Sequence, residues 1–255
     1  MNESSLQLAK APIIEAVLDI DCDLPLSVDQ ELLEKSARDA LRDRYPKLRK
    51  QSIQEHVWTH NGIDAPEMQM MERPGALQFL TEDERQLVQF RPNGFSFNRL
   101  APYGSLDDYL PEIESAWRLF EELAQPVMIR KVGLRMINRM LLPLSDGKLV
   151  FSDFLQVAPS LPATGLKLGL VGFLEQHLAI DEESLNRVNI VKTSEAAASG
   201  SLPVILDIDA FHPCDIPPPE WPVLLARIES LRNLKNRVFQ HTLTAQCLNL
   251  FSPVV

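Results

Sequence analysis

Cysteine is scarce in this 255-residue sequence: Cys22, Cys214 and Cys247 are odd in number, far apart and form no CxxC pair. That excludes a disulfide framework and a Cys-rich zinc site, and it fits a reducing compartment. Glycine is sparse as well, with 10 residues and none in GxxxxGK[ST] or GxGxxG, so phosphate cradles of those kinds are absent. No stretch approaches the roughly 20 uninterrupted apolar residues of a spanning helix. The start, MNESSLQLAKAPIIEAVLDID, carries Glu3 and a short apolar segment broken by Glu15, and reads as neither signal peptide nor membrane anchor. Positive charge is in deficit: 25 Lys and Arg against 35 Asp and Glu leave a formal charge of -10 and a pI near 5.0. General nucleic-acid or anionic-membrane binding needs the opposite balance, because basic residues release the counterions. The expected setting is the cytoplasm.

What is present, 45% hydrophobic and 24% charged residues, describes a globular chain able to bury a core as a single unit over 1–255. PIIEAVLDI (Pro12 to Ile20) reads as a strand, followed by a helix from Ser27 with Gln30 three residues on, in a capping-box pattern. Its apolar stripe is Val28, Leu32, Ala37, Ala40, Leu41, Tyr45 and Leu48. SIQEHVWTH, GALQFLTED and QLVQFRPNGFSFNRL are strands, the last bent or divided at Pro92-Asn93-Gly94. A helix from Ser105 to about Ala124 carries Leu106, Leu110, Ile113, Trp117, Phe120 and Leu123 on one side.

The pattern then starts again. IRKVGLRMINRMLLP is a long strand, LVFSDFLQV a short helix, and TGLKLGLVGFLEQHLAI, SLNRVNIVKT and LPVILDIDAF three strands. SEAAASGS forms a hairpin tip, CDIPPPEWP a stiff connection, and a long helix follows from about Pro219 to Leu243. The fold class is therefore α+β: two β-α-β-β-β-α halves, 10–125 and 126–255, in a largely antiparallel sheet with helices packed on one face.

Isolated motifs carry little chemistry. His56 and His60 in HVWTH share a strand face but stand about 13 Å apart, too far for one metal ion. FHPCD reads as a strand end, RDRYPKLRK as a solvated helix terminus, and nothing calls for a metal or cofactor.

The strand faces say more. Ile14, Ala16, Leu18 and Ile20 oppose Glu15, Val17 and Asp19; Val132, Leu134 and Met136 oppose Lys131, Arg135 and Arg139; Leu206, Ile208 and Ala210 oppose Asp207 and Asp209. If these three strands are neighbours, Glu15, Arg135, Arg139, Asp207 and Asp209 form one mixed-charge surface. That surface is either a binding face or an ordinary solvated sheet with ion pairs of about 0.2–1 kcal/mol each.

Lys235 raises a separate question. At about 100° per residue, Leu224, Ile228, Leu231, Val238 and Thr242 form one side of the last helix, and Lys235 projects within about 20° of its centre, with Arg232 and Asn236 at the edge. A buried ammonium is costly, so the expectation is a partner among Glu15, Asp19, Asp207 and Asp209, or a side chain that snorkels to solvent. The first requires the helix to overhang a sheet edge or to pack against the other half, the second a different helix phase or packing face.

The blocks PIIEA, NRLAPYGSLDDYLPEI, VGLRMINRM, LDIDAF and LRNLKNRVFQHTLT span nearly the whole chain. In them the sequence resembles a sporadically distributed, uncharacterised prokaryotic protein family of about 260 residues. The resemblance implies a cytoplasmic protein inherited patchily, in the manner of mobile-element or defence cargo, and brings no catalytic residues with it. Glu15, Arg135, Asn138, Arg139, Asp207, Asp209, Arg232, Lys235 and Asn236 are the polar positions of those blocks. Two functional expectations follow: a non-enzymatic binding or regulatory protein with a protein partner, of a defence or toxin–antitoxin-like system; or a sensor or enzyme for a small anionic ligand. In the second, Arg135 and Lys235 grip the anion and Asp207 or Asp209 serves as acid or base. A homodimer is the default assembly.

Overall fold

Apolar residues at every second position commit much of the chain to strands, and a computed structural model of the protein joins them in one sheet. It describes residues 8–59, 67–161, 168–197 and 200–253, with the backbone alone for 53–59 and 67–74. The described strands are β1 (Ile13–Asp23), β2 (Lys47–Thr59), β3 (Glu67–Leu80), β4 (Gln86–Arg91), β5 (Gly94–Leu100), β6 (Met128–Pro143), β7 (Leu174–Ile180), β8 (Arg187–Ser194) and β9 (Ser201–Ile216). The helices are α1 (Gln30–Leu41), α2 (Leu106–Ala124), α3 (Trp221–Thr242) and α4 (Ala245–Asn249). Strand order is β2-β3-β4-β5-β1-β6-β9-β8-β7, antiparallel throughout. In each half the last strand returns beside the first, β5 beside β1 and β9 beside β6, and β1 pairs with β6 at the centre.

The α+β class with an antiparallel sheet and helices holds, while several element boundaries move. QLVQFRPNGFSFNRL is two strands, β4 and β5, because Gly94 turns the chain with φ 145°; a Cβ there would lie 2.1 Å from the Ile20 carbonyl oxygen. The cap of α1 is Asp29, not Ser27: its side chain accepts the N–H groups of Glu31 and Leu32. The buried positions are accordingly Leu33, Ala37 and Leu41, and Leu32 faces solvent. LVFSDFLQV makes only a 3-10 turn, Phe151–Asp153, because its backbone is drawn to the end of α3: Gln156 N–H donates to Thr242 O and Thr244 N–H to Phe154 O, both at 3.0 Å. The second half thus has no counterpart of α1 among the described residues. Among the described residues of TGLKLGLVGFLEQHLAI the strand spans Leu174–Ile180, and β9 runs on through FHPCDI, shortening the stiff connection to 217–220.

All the helices cover one face. Ile20, Phe95, Leu134, Met136 and Ile208 point toward them, Trp117 and Phe120 of α2 pack on Phe95 at ring-centroid distances of 5.7 and 5.9 Å, and α3 buries Leu224, Ile228 and Leu231 in the same core. Each such side chain contributes about 1.5–3 kcal/mol of burial, so the apolar stripes fix which way α2 and α3 face. No helix among the described residues is long and apolar enough to cross a membrane.

Candidate functional site: a cavity between two helices

The register brings β1, β6 and β9 together, with Arg135 opposite Val17 and Asp209, and Ile137 opposite Glu15 and Asp207. Glu15, Arg135, Arg139, Asp207 and Asp209 therefore share the face away from the helices. Arg135 donates from Nε and Nη2 to Asp207 at 2.9 and 2.5 Å, and Arg139 turns outward to Glu195 at 2.8 Å. Glu15 accepts from Asn98 at 2.8 Å, closing an amide chain in which Gln78 donates to Gln89 and Gln89 to Asn98, each at 2.9 Å. Burial holds the Asp209 carboxyl above its usual range, with Lys131 and Arg135 opposing the rise. Both arginines here spend their charge on carboxylates of the same face, which leaves neither free to grip an outside anion.

Arg232, Lys235 and Asn236 lie on the other side of the sheet, so the eight sequence candidates divide into two groups. Lys235 follows Leu231 by four residues and continues the buried stripe of α3. At that level α3 meets the start of α2: Arg232 bridges to Asp107 through two hydrogen bonds of 2.7 Å. Between the two helix segments lies a cavity of about 480 Å³, floored by Ile13 of β1 and Met136 and Asn138 of β6. Residues 8–12 close one side, tied down by Ala9 N–H to Ser252 O at 3.0 Å and Lys10 N–H to Phe251 O at 3.1 Å.

The α2 wall is built by a capping box. Ser105 Oγ accepts the Asp107 N–H at 3.3 Å, and Asp108 Oδ2 accepts the Ser105 N–H at 2.8 Å. Gly104 permits this closure, because a Cβ there would stand 2.7 Å from Asp108 Oδ2. On the floor, Asn138 is 2% exposed; its Nδ2 donates to Leu206 O at 2.9 Å and Met136 O at 3.3 Å. Its amide nitrogen is thus committed to the sheet.

Lys235 has none of the four expected carboxylates as a partner. Glu15, Asp19, Asp207 and Asp209 are across the sheet from it, and the side chain is half-buried, with its open surface facing the cavity. Among the described residues no hydrogen bond or ion pair reaches its Nζ. Burial, reinforced by the neighbouring Arg232 guanidinium, lowers its pKa to about 8. Burial also raises the Tyr103 hydroxyl on the cavity wall, keeping it a protonated donor. The arrangement suits a ligand that supplies the missing negative charge.

The residues that sequence reasoning missed are Gly104, Ser105 and Asp108 at the start of α2 and the apolar wall residues Leu106, Met136 and Phe239. The capping box was the available signal, but nothing in the sequence placed it opposite Lys235. Elsewhere, His212 Nδ1 lies 2.9 Å from Asn186 Oδ1 on the side of β9, and His60 and the side chain of His56 fall outside the described residues. No group of three or more His, Cys, Asp or Glu among the described residues could hold a metal ion.

No protein-family model matches the chain, and no curated protein matches it.

Proposed function

We propose that the chain is a non-enzymatic binding protein with a regulatory role, and that its cavity between α2 and α3 receives a small anionic ligand. The observation that carries this reading is Lys235, a half-buried ammonium facing the cavity beside Arg232 with no carboxylate of its own. A bound anion would offset the desolvation of Lys235, and the positive end of the α2 dipole would add to the attraction. Ligand binding at the junction of two helices from different halves gives a route to regulation, since the same contact holds α2 and α3 together. The resemblance to a sporadically distributed prokaryotic family supports a cytoplasmic setting and a protein partner within a defence or toxin–antitoxin-like system.

The test is thermal unfolding of the wild type and of Lys235→Met against acetate, phosphate, sulfate and organic acids. Stabilisation of the wild type and not of the variant is expected, with proton uptake on binding near pH 8 as the lysine regains its charge. Equal shifts in both proteins would remove the cavity from the account. For the partner, recovery of a stable complex from the native host is expected, and clean recovery of the chain alone under several conditions would count against it.

A further inference from the structure

The cavity also constrains what kind of anion fits. The other charged groups already have partners: Arg232 is held by Asp107 and also touches Glu229 at 3.3 Å, and Asp108 accepts the Ser105 N–H. Lys235 is the one cation on the cavity without a counter-charge among the described residues, so a single negative charge pairs with it and a second would face Asp108 unopposed. Part of the remaining wall is apolar. Leu106 is 6% exposed, Met136 2% and Phe239 9%, and all three border the same space as Ile13 and the Tyr103 ring. A cavity of about 480 Å³ lies in the range of about 300–1,000 Å³ that holds organic ligands, well beyond the needs of a bare oxyanion. Asn236 and Gln240 add amides on the α3 side, beside Lys235 and Phe239.

We propose that the cavity takes an organic monoanion with an apolar body, of which a medium-chain or aryl-alkyl monocarboxylate is the simplest form. The carboxylate sits on Lys235 near the start of α2, and the body lies against Leu106, Met136 and Phe239. This rests on the reading of the cavity as an anion site and adds the demand for an apolar body. It makes the ligand class a product of two separable contacts, one electrostatic and one hydrophobic.

The experiment is calorimetric titration of the full chain at neutral pH with octanoate, 3-phenylpropionate, acetate, inorganic phosphate and 1-octanol, repeated on Lys235→Met. The expected result is that octanoate or 3-phenylpropionate binds at least about tenfold more tightly than acetate, phosphate or octanol. The variant is expected to lose about tenfold or more of that affinity while unfolding as cooperatively as the wild type. If acetate and phosphate bind as tightly as the larger acids and lose their affinity in Lys235→Met, the apolar body is overturned and the anion site stands. If octanol matches octanoate, or the variant binds octanoate as well as the wild type, both readings fall. Absence of binding by all five probes up to about 1 mM also overturns both.

Discussion

The two polar regions of this molecule lie back to back across one sheet and treat their charges in opposite ways. On the open face, Arg135 meets Asp207, Arg139 meets Glu195, and Arg91 lies 2.8 Å from Asp21. In the cavity, Arg232 is paired and Lys235 is not. Solvent reaches the first region, so even a broken pair there is rehydrated at little cost. Lys235 reaches water only through the cavity, and a chain that keeps a half-buried ammonium there without a counter-charge accepts a desolvation penalty. The difference separates a surface that looks chemically rich from a site that is energetically unfinished.

The contrast breaks most visibly at Lys235. Its pKa near 8 lies below the ordinary 10.5, so the folded state holds that proton less tightly than the unfolded one. The penalty is complete below about pH 8 and fades as pH rises toward the unfolded value, so stability from this group increases across that window. Lys235→Met should remove the penalty and raise stability at neutral pH by on the order of 2 kcal/mol, less than about 1.4 kcal/mol per pKa unit would give for a fully buried group because the ammonium is partly open to the cavity. That corresponds to about 4–8 °C in Tm for a chain of this size. A lower Tm in the variant would mean that the ammonium has a partner in solution.

Next in size is Asn138, whose amide holds the Leu206 and Met136 carbonyls on the cavity floor. Asn138→Leu should cost about 1–3 kcal/mol in chemical denaturation, the usual result of stranding buried acceptors. Open-face pairs should respond less. A double-mutant cycle of Arg135→Ala and Asp207→Ala should give a coupling of about 0.2–1 kcal/mol that shrinks with added salt and leaves anion affinity in the cavity unchanged. Coupling above about 2 kcal/mol would erase the distinction between the two regions.

Much of this was legible in the chain. Alternation in PIIEAVLDI, VGLRMINRM and VILDIDAF gave each strand its apolar face, and because burial is decided residue by residue, Leu18, Leu134 and Ile208 lie in the core as their spacing predicts. The helix wheel likewise put Lys235 on the buried side of α3. Two things were not local properties. Which carboxylates Lys235 could reach depended on the layer to which α3 is assigned, and the cavity depends on α2 and α3 arriving at the same place from different halves. The start of α1 failed for a smaller reason: Ser27 and Asp29 both suit a cap, and one residue of helix phase exchanges Leu32 for Leu33.

The smallest predicted effect tests the open face from within. Asp209 sits on it among paired charges, yet burial holds its carboxyl above the usual range. A raised acid in the folded state binds its proton more tightly than in the unfolded chain, so its contribution to stability falls as pH climbs through the carboxylate range and is constant above it. Asp209→Asn should therefore gain on the wild type as pH rises from about 4 toward 7, the region where carboxylates with raised pKa values ionise. Urea denaturation of both proteins across that range measures the gap directly. If the wild type gains instead, Lys131 and Arg135 outweigh desolvation at Asp209, and the open face is then paired throughout, leaving Lys235 the sharper exception.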